Sequence, residues 1–456
     1  MSQANPLAPL PGRPASPAID IGPLLDDGRW SGYQKAVVAL AALGIVFDGV
    51  DVQLLGIAVP AIMGDWNVER SAFAPILSIG LVGMALGTAL GGIVGDRIGR
   101  RRALIGSMLL FGLFTALIGL ADSLLSLGAL RLLAGLGLGG ALPNVTALTS
   151  EYTPLRVRAF AITLSLVCFP LGLALAGLVG AEVLPTLGWR WLFVIGGVAP
   201  MGIALVLLGV LPESPRYLAR HPGRFAELAR ILERIGHAVS PQSVFVDGHD
   251  SAHAGASAAD LFGREYRRDT LALWAAFFSC LMSVYIVVNW LPSMLSGAGL
   301  DLSVASRSLG AFNLGGVAGA LGGSLLIARL GSRVTMVGLA VVAITGAVAL
   351  SFATIDASMD VSLLVVALGA TGGAINGVQT IMYALAAHVY PTAVRATGVG
   401  SASAAGRIGA ILSPFIGAWA LGFEGVGVYF LLIGAAMLST AVALARIRRH
   451  VQPSSH

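Results

Sequence analysis

The sequence predicts an all-α integral membrane protein with twelve transmembrane helices in two pseudo-symmetric six-helix halves. Hydrophobic residues make up 56% of the 456 residues, charged residues only 11%, and the mean hydropathy is +0.85. Soluble domains carry about 25% charged residues. Apolar windows of spanning length recur along the chain, and short motifs of the first half recur in the second. The composition therefore excludes an ordinary soluble globule.

Six apolar windows precede a polar segment at 212–269, and six follow it. They lie near 36–62, 72–94, 103–121, 126–149, 159–183, 191–211, 271–295, 305–328, 334–354, 361–387, 397–421 and 426–445. We therefore divide the chain into a disordered tail (1–30), an N-terminal six-helix half (31–211), a linker (212–269), a C-terminal six-helix half (270–446) and a second tail (447–456). Within the linker, FAELARILERIG is typical of an amphipathic surface helix, and VDGHDSAHAGASAAD of a flexible connection.

The distribution of arginine predicts the orientation. The connections after even-numbered windows and both tails hold nearly all the arginines, whereas the opposite connections hold only Arg70, Arg190 and Arg307 among several acids. By the positive-inside rule both termini are cytoplasmic. Residues 1–30 lack the apolar core of a signal peptide.

Three motifs recur between the halves. PLRVRA (154–159) matches PTAVRA (391–396), GGAL (139–142) matches GGAI (372–375), and DRIGRR (96–101) matches ARLGSR (328–333), at offsets of 237, 233 and 232 residues. Such similar offsets indicate two homologous halves. Many secondary carriers have this architecture, with the substrate site between the halves near the bilayer midplane.

The loop after the second window, GGIVGDRIGRRR (91–102), resembles the signature loop of the major facilitator superfamily. The resemblance implies that Asp96, Arg97 and Arg100 control a cytoplasmic gate. The second copy has Ala328 where the acid would be, so we expect that latch to be absent or weaker. LPESPRYL (211–218) also resembles this superfamily but does not select a substrate.

A second group of charges lies at the same interface. EYTPLRVRA (151–159) places Glu151 and Arg158 after the fourth window, where both could join the charge latch. Its repeat partner has His388 in place of Glu151. A histidine near a helix end can titrate near neutral pH, but an interfacial position without a pH role is the alternative.

The first window contains two acids, Asp48 and Asp51, within FDGVDVQ. Residues three apart share one helix face, and a charged aspartate at a membrane helix centre costs roughly 2.5–3.5 kcal/mol. Mutual repulsion and desolvation both favour the protonated form. The pair is therefore a candidate for proton coupling, and the alternative is a static ion pair that only joins helices.

Two arginines inside apolar windows are candidate partners for these acids. At 1.5 Å per residue, Asp48 lies about 18 Å and Arg407 about 16 Å from the cytoplasmic ends of their helices. Asp51, at about 22 Å, and Arg131, at about 28 Å, form a second candidate pair nearer the outside. A midplane guanidinium suits a carboxylate substrate, so Arg407 is the first candidate for the substrate anion. Two alternatives remain open: Asp48 neutralises Arg407 permanently, or Asp48 and the substrate pair with Arg407 in turn.

Further candidates for substrate contacts are polar and aromatic residues inside the windows. Buried amides need hydrogen-bond partners, which a ligand can supply, and an aromatic ring offers a stacking face. Each alone is more often a helix-packing residue, but together they favour an aromatic acid. These residues are Asn144, Asn289, Trp290, Asn376, Gln379 and Tyr383.

Four motifs together narrow the resemblance to a family. They are D-G-x-D in the first window, GLGLGGALPN with LTSEY in the fourth, NWLP in the seventh, and RATGVG with GR in the eleventh. Over roughly 30–450 the chain resembles the aromatic acid:H+ symporter family of the major facilitator superfamily. The resemblance implies proton-driven uptake of an aromatic carboxylate, of the hydroxybenzoate or hydroxyphenylpropionate type, across the bacterial inner membrane. It implies importance for Asp48, Asp51, Asp96, Arg100, Arg131, Glu151, Arg395 and Arg407.

Other classes of function fit less well. GLGLGG (135–140) suggests a dinucleotide loop only faintly, because no βαβ unit surrounds it. We expect no catalytic residue, cofactor, metal site or nucleic-acid partner, and we expect a monomer. A carrier of another organic anion or a sugar, a drug/H+ exporter, and a non-transporting receptor of the same fold remain alternatives, although Arg407 argues against the exporter.

Overall fold

The computed structural model describes residues 18–240, 243–248, 261–263, 266–356, 359–390, 394–423 and 426–453, apart from the side chains of residues 159, 328, 395 and 396. In chain order the elements are β1 (Ile19–Asp20), α1 (Ile21–Asp26), α2 (Gly32–Trp66), α3 (Phe73–Ile98), α4 (Arg100–Ile118), α5 (Leu124–Glu151), α6 (Leu155–Leu187), α7 (Trp189–Val210), α8 (Pro215–Ala219), α9 (Phe225–Ile235), β2 (Phe245–Val246), α10 (Arg267–Gly297), α11 (Leu302–Phe352), α12 (Val361–Val389), α13 (Arg395–Ala420) and α14 (Gly427–Arg446). Short 3₁₀ turns at Arg70–Ala72 and Pro222–Arg224 precede α3 and α9.

The described residues contain twelve helices that are long and apolar enough to cross a membrane. Eleven long helices provide these twelve spans, because α11 bends at Gly331 and divides into spans at Leu302–Ile327 and Arg329–Phe352. Gly331 has φ 77°, which only glycine adopts readily. The predicted all-α, multi-pass fold is confirmed.

The two halves are built alike. α2–α7 pack into one bundle and α10–α14 into the other. On α3, a Cβ added at Gly83 or Gly87 would collide with backbone of α5; on α11, one added at Gly315 or Gly319 would collide with backbone of α12. The two pairs are 232 residues apart, the offset of the DRIGRR repeat. Glycine permits this close approach where no hydrophobic effect drives helices together.

The described residues of the two halves form hydrogen bonds with each other on one side of the bundle. The ends of the helices form two opposite faces of the bundle. We call the face that contains Gly99, between α3 and α4, the Gly99 face, and the face that contains Gly188, between α6 and α7, the Gly188 face. Hydrogen bonds between described residues of the two halves lie toward the Gly188 face. They run from Gln53 to Val288 O (3.0 Å), Asn313 to Gln53 (3.1 Å), Ser78 to Ile411 O (2.7 Å), Arg70 to Leu421 O (3.2 Å) and Ser293 O (3.5 Å), and Arg307 to Glu182 (3.0 Å).

The tail and linker are more ordered than expected. We expected disorder over residues 1–30, but β1 pairs with β2 of the linker in parallel, and α1 buries Ile21 and Leu25. Asp26 forms ion pairs with Arg158 and, at 3.4 Å, with Arg216. The segment is too short to span a bilayer, and it packs against α8 and the linker. Residues 1–17 lie outside the described part.

The predicted amphipathic helix of the linker is α9. It buries Leu228, Ile231, Leu232 and Ile235. Most of the stretch predicted to be flexible, 249–260, lies outside the described residues.

Candidate functional site

A cavity of about 320 Å³ lies between the two halves. This is the size of a pocket for a small ligand. Its lining consists of Asp48, Leu81, Met84, Thr88, Leu142, Pro143, Thr146, Leu166, Phe169 and Pro170 from the first half, and Leu281, Tyr285, Gln379, Thr380, Tyr383, Ser403, Arg407 and Ala410 from the second.

Asp48 and Arg407 face this cavity from opposite halves. Asp48 is 1% exposed, and its Oδ1 has no hydrogen-bond partner among the described residues. Arg407 makes no hydrogen bond and no ion pair within 4 Å with any described residue, so Asp48 does not neutralise it through a direct contact. The two groups nevertheless interact electrostatically across the cavity. The structure therefore brings together the two residues that the depth count placed at the midplane.

Asp51 lies away from the cavity in a buried ion pair. Arg131 Nη1 lies 3.0 Å from Asp51 Oδ2, and the two side chains are 8% and 0% exposed. Thr115 donates its hydroxyl to the other carboxylate oxygen. These contacts tie α2 to α4 and α5, so Asp51 has the partners that Asp48 lacks. The predicted pair of Asp51 and Arg131 is present, but Arg131 does not reach the cavity.

Two of the predicted substrate contacts instead donate to backbone carbonyls, Asn144 to its own and a neighbouring helix and Asn376 to its own helix. Asn144 donates to Gly91 O at 3.0 Å and to Gly140 O at 2.8 Å. Asn376 donates to Gly372 O at 3.2 Å. Neither residue lines the cavity. Close glycine packing leaves these amides facing a neighbouring helix rather than the space between the halves.

Asn289 and Trp290 are also displaced from the cavity. Trp290 is fully buried, and its indole N–H donates to Pro414 O at 3.0 Å. Asn289 Nδ2 has no hydrogen-bond partner in the described part of the chain, and Asn289 faces a space of only about 10 Å³ that Arg131 also lines. The face of α10 that reaches the cavity lies one turn earlier, at Tyr285.

Gln379 and Tyr383 do line the cavity, as predicted. They lie four residues apart on α12, which places them on one helix face. Sequence reasoning missed Tyr285, Thr380 and Ser403. Ser403 could have been found, because it precedes Arg407 by four residues on α13.

The charges around Gly99 form a network within the first half. Asp96 and Arg100 form an ion pair, and Arg100 Nε lies 3.8 Å from Glu151 Oε1. Glu151 also accepts a hydrogen bond from the Ser214 hydroxyl. The predicted proximity of Asp96, Arg100 and Glu151 is therefore present.

The remaining gate candidates are placed differently. Arg97 is exposed. Arg158 pairs with Asp26 instead of joining Glu151. The side chains of Arg395 and Ala328 lie outside the described residues, and His388 is exposed.

Sequence reasoning missed Glu213 of the LPESPRYL motif. Its Oε1 accepts the backbone N–H of Arg101 at 3.0 Å and of Ser214 at 2.9 Å. Tyr152 donates its hydroxyl to the Glu213 carbonyl at 2.6 Å, and burial raises the pKa of Tyr152 well above its usual value. The end of α7 is thereby fixed against the Gly99 loop.

A twelve-helix bundle with a cavity between two similar halves defines a class of transporters. Residues 41–414 match the family model of the Major Facilitator Superfamily, and the chain belongs to that superfamily. It is therefore a transporter and not an enzyme.

Relatives narrow the comparison. A gallate transporter of Pseudomonas putida is 34% identical, with 94% of this chain and 95% of that protein covered. The 4-hydroxybenzoate transporter PcaK of Pseudomonas aeruginosa is 35% identical, with 96% and 98% covered. The 3-(3-hydroxy-phenyl)propionate transporter of Escherichia coli is 34% identical, with 86% and 88% covered. These relatives confirm the resemblance drawn from the motifs.

Solved structures agree on the fold. The inward-open conformation of the xylose transporter XylE from E. coli superposes with a TM-score of 0.70 at 17% identity, covering 92% of this chain and 97% of that one. At this identity the likeness concerns the fold alone.

Proposed function

We propose that this protein is a secondary active transporter that imports an aromatic carboxylate, of the hydroxybenzoate or hydroxyphenylpropionate type, together with protons across the bacterial inner membrane. The observation that carries this proposal is that Asp48 and Arg407 lie on opposite walls of one cavity, and neither forms an ion pair within 4 Å with a described residue. The names of the relatives supply the substrate class.

Arg407 is the proposed binding group for the substrate carboxylate. An ionised side chain inside a membrane is costly unless it is paired or faces water. Arg407 has no ion pair within 4 Å among the described residues, and it opens onto the cavity. A carboxylate can accept two parallel N–H bonds from a guanidinium. Substrate binding would therefore supply the partner that Arg407 lacks.

Asp48 is the proposed proton carrier. A buried carboxylate without a partner is strongly destabilised when ionised, and Asp48 Oδ1 is both buried and unpartnered. Substrate on Arg407 would screen that arginine from Asp48 and favour protonation further. Asp51 was also a candidate for proton coupling, but its ion pair with Arg131 makes it an anchor that positions Asp48 on α2.

The contacts between the halves support an inward-facing state. Hydrogen bonds join the halves toward the Gly188 side, and among the described residues none joins them toward the Gly99 side. The arginine distribution places the Gly99 face and both termini in the cytoplasm. The Asp96–Arg100–Glu151 network would then form the cytoplasmic gate, and the two halves would rock about the cavity in a monomer.

The test is uptake of labelled acids into proteoliposomes with and without an inward proton gradient. The acids are 4-hydroxybenzoate, benzoate, protocatechuate and 3-hydroxyphenylpropionate. We expect gradient-driven uptake of at least one, lost in Asp48→Asn. A lost hydrogen bond to a charged group is worth about 1.5–3 kcal/mol, so Arg407→Gln should weaken binding about ten- to a hundredfold.

Arg190→Gln is the matched control, because Arg190 is a half-exposed arginine at the Gly188 face. Full activity of Arg407→Gln, or equal losses in Arg190→Gln, would contradict the assignment of the anion site. Uptake of none of the acids by folded protein would favour another organic anion, a sugar or drug export.

A further inference from the structure

The first-half wall of the cavity offers almost no free hydrogen-bonding groups. Apart from Asp48, its polar side chains are Thr88 and Thr146. Thr88 donates to Met84 O at 2.8 Å, and Thr146 donates to Leu142 O at 3.0 Å, so both hydroxyl protons are used within their own helices. The remainder of this wall is apolar and suits the faces of an aromatic ring.

The second-half wall is the opposite in character. Tyr285, Gln379, Thr380, Tyr383 and Ser403 all line the cavity, and none makes a hydrogen bond to another described residue. Polar groups inside proteins are normally hydrogen-bonded. A wall with this many uncommitted donors and acceptors is suited to a ligand with polar groups along one edge.

The spacing on this wall matches a substituted benzoate. Ser403 precedes Arg407 by four residues on α13, so it lies about 6 Å nearer the Gly99 face on the same helix side. Gln379 lines the same wall from α12. A benzoate ring separates its carboxylate from a para substituent by a similar length, about one helical turn.

We propose that Gln379 and Ser403 recognise a ring hydroxyl of the substrate while its carboxylate lies on Arg407. This inference rests on the proposed function and narrows it: the site selects hydroxylated aromatic acids over unsubstituted ones. The apolar first-half wall then contacts the ring without contributing to the choice of substituent.

Titration calorimetry of the purified full-length protein tests this proposal with 4-hydroxybenzoate and 4-methylbenzoate, which differ mainly in the hydrogen-bonding group. Wild type should prefer the hydroxy acid by about ten- to a hundredfold, the range for a buried polar group left unpaired at 1–3 kcal/mol. Gln379→Leu and Ser403→Ala should each reduce that preference about tenfold while binding of 4-methylbenzoate stays unchanged. Thr146→Val, on the opposite wall, should leave the preference as in wild type.

Retained binding of 4-methylbenzoate also shows that each variant is folded. Equal affinities of wild type for the two acids, or equal weakening of both acids in the variants, would overturn the inference and leave the proposed function standing. Absence of binding of either acid to wild type would refute the proposed function, and the inference with it.

A separate observation concerns the ends of the two halves. Arg101 donates to Leu208 O near the end of α7, and Arg333 donates to Ala445 O near the end of α14 at 3.0 Å. The 237-residue offset of PLRVRA and PTAVRA carries Leu208 onto Ala445. The same offset carries Glu213, which fixes the Gly99 loop, onto His450.

The bend of α11 around Gly331 is the second-half counterpart of the Gly99 loop, and we call it the second loop. His450 and its neighbours hold it in a similar way. Ser332, directly after the Gly331 bend, donates its N–H to Val451 O and accepts the Val451 N–H on its hydroxyl, both at 2.9 Å. His450 Nε2 lies 3.1 Å from Leu444 O, so this nitrogen carries the proton. Nδ1, 3.0 Å from the Ser332 hydroxyl, then accepts a hydrogen bond from it. With Nε2 as donor and Nδ1 as acceptor, the imidazole in this arrangement is neutral.

The surroundings of His450 also favour its neutral form. Burial is the main cause that lowers the pKa of His450; Arg333 and His388 act in the same direction, and the Leu444 carbonyl and Asp269 oppose them. A base whose pKa is lowered in the docked state binds fewer protons there. Docking is therefore stable above the ordinary histidine pKa of about 6.5 and weakens as the pH falls below it.

We infer that the C-terminal segment 447–453 is a pH-sensitive clasp on the second loop, docked at neutral pH and released when the Gly99 face acidifies. Protonated His450 would present an N–H to the Ser332 hydroxyl, which would have to turn its own proton away from Nδ1. Release would free the bend of α11 at Gly331.

Spin labels test the clasp in the full chain. Labels on Gln452→Cys and Arg329→Cys, with Cys168→Ser and Cys280→Ala as background, should give one narrow distance at pH 7.5 and an added broad population below about pH 6.5. His450→Gln should abolish this response, whereas His388→Gln should retain it. An unchanged distance from pH 7.5 to 5, or the same response in His450→Gln, would overturn the inference.

Discussion

The buried ion pair of Asp51 and Arg131 leads to a quantitative prediction about stability. Its atoms lie 3.0 Å apart, the side chains are 0% and 8% exposed, and Thr115 completes the carboxylate's hydrogen bonds. Removing one partner of such a pair leaves an uncompensated buried charge and costs about 3–5 kcal/mol. Arg131→Met should therefore lower the free energy of unfolding by about that amount.

A double-mutant cycle separates the charge from the packing. Asp51→Asn combined with Arg131→Met removes both charges, so the double variant should regain at least about 2 kcal/mol relative to Arg131→Met alone. The matched control is the pair of Arg190 and Asp65, 2.8 Å apart but 48% and 44% exposed. Exposed pairs contribute about 0–1 kcal/mol, so Arg190→Met should change little.

Equilibrium unfolding in mixed micelles, followed by tryptophan fluorescence, measures the stability of four variants: Arg131→Met, Asp51→Asn, the double variant and Arg190→Met. A stabilising role for the ion pair is excluded if Arg131→Met costs no more stability than Arg190→Met, or if the double variant is less stable than Arg131→Met. In either case Asp51 would not be an anchor, and its role in proton coupling would be reopened.

Three further predictions follow from packing. Asn144→Ala should lower the unfolding temperature by removing one hydrogen bond to Gly91 O on α3 and one to Gly140 O within α5, yet leave the affinity for substrate within about twofold. A large loss of affinity in calorimetry would restore Asn144 as a substrate contact. Gly177→Val should collide with Gly310 of the other half and prevent closure of the Gly188 side, so that uptake falls more than about tenfold while substrate binding persists. Gly202→Val, whose side chain would meet open space, should leave uptake unchanged. Equal uptake by the two variants would contradict this prediction. Gly99→Ala, at φ 102°, should destabilise the protein by more than about 1 kcal/mol in the same unfolding assay; no change would show that the loop relaxes.

The helical architecture was predictable because its signals are local and repeated. Apolar windows long enough for a bilayer are visible without tertiary information, and the bend at Gly331 falls between two of them. The offset of the motifs gave the two halves. The ordered segment Ile19–Asp26 was missed, because its stability comes from β2 and from Arg158, which lie far away in sequence.

The site was predictable only in part. Asp48 and Arg407 stand out because a charge in an apolar window is rare, and a fixed rise per residue gives its depth. Which face of a helix reaches the cavity depends on helix rotation, which packing decides. Asn289 and Trp290 were therefore assigned to the right helix but the wrong face, and Tyr285 was missed.

Proton entry driven by substrate alone would show whether transport of the acid is coupled to protons through Asp48. Proteoliposomes with a pH-sensitive dye inside and no imposed gradient would receive 4-hydroxybenzoate outside. The account predicts that wild type acidifies the interior as the acid enters, whereas Asp48→Asn carries no protons and still exchanges labelled for unlabelled acid. Uptake of the acid without acidification in wild type, or unchanged acidification in Asp48→Asn, would contradict the proposed coupling through Asp48.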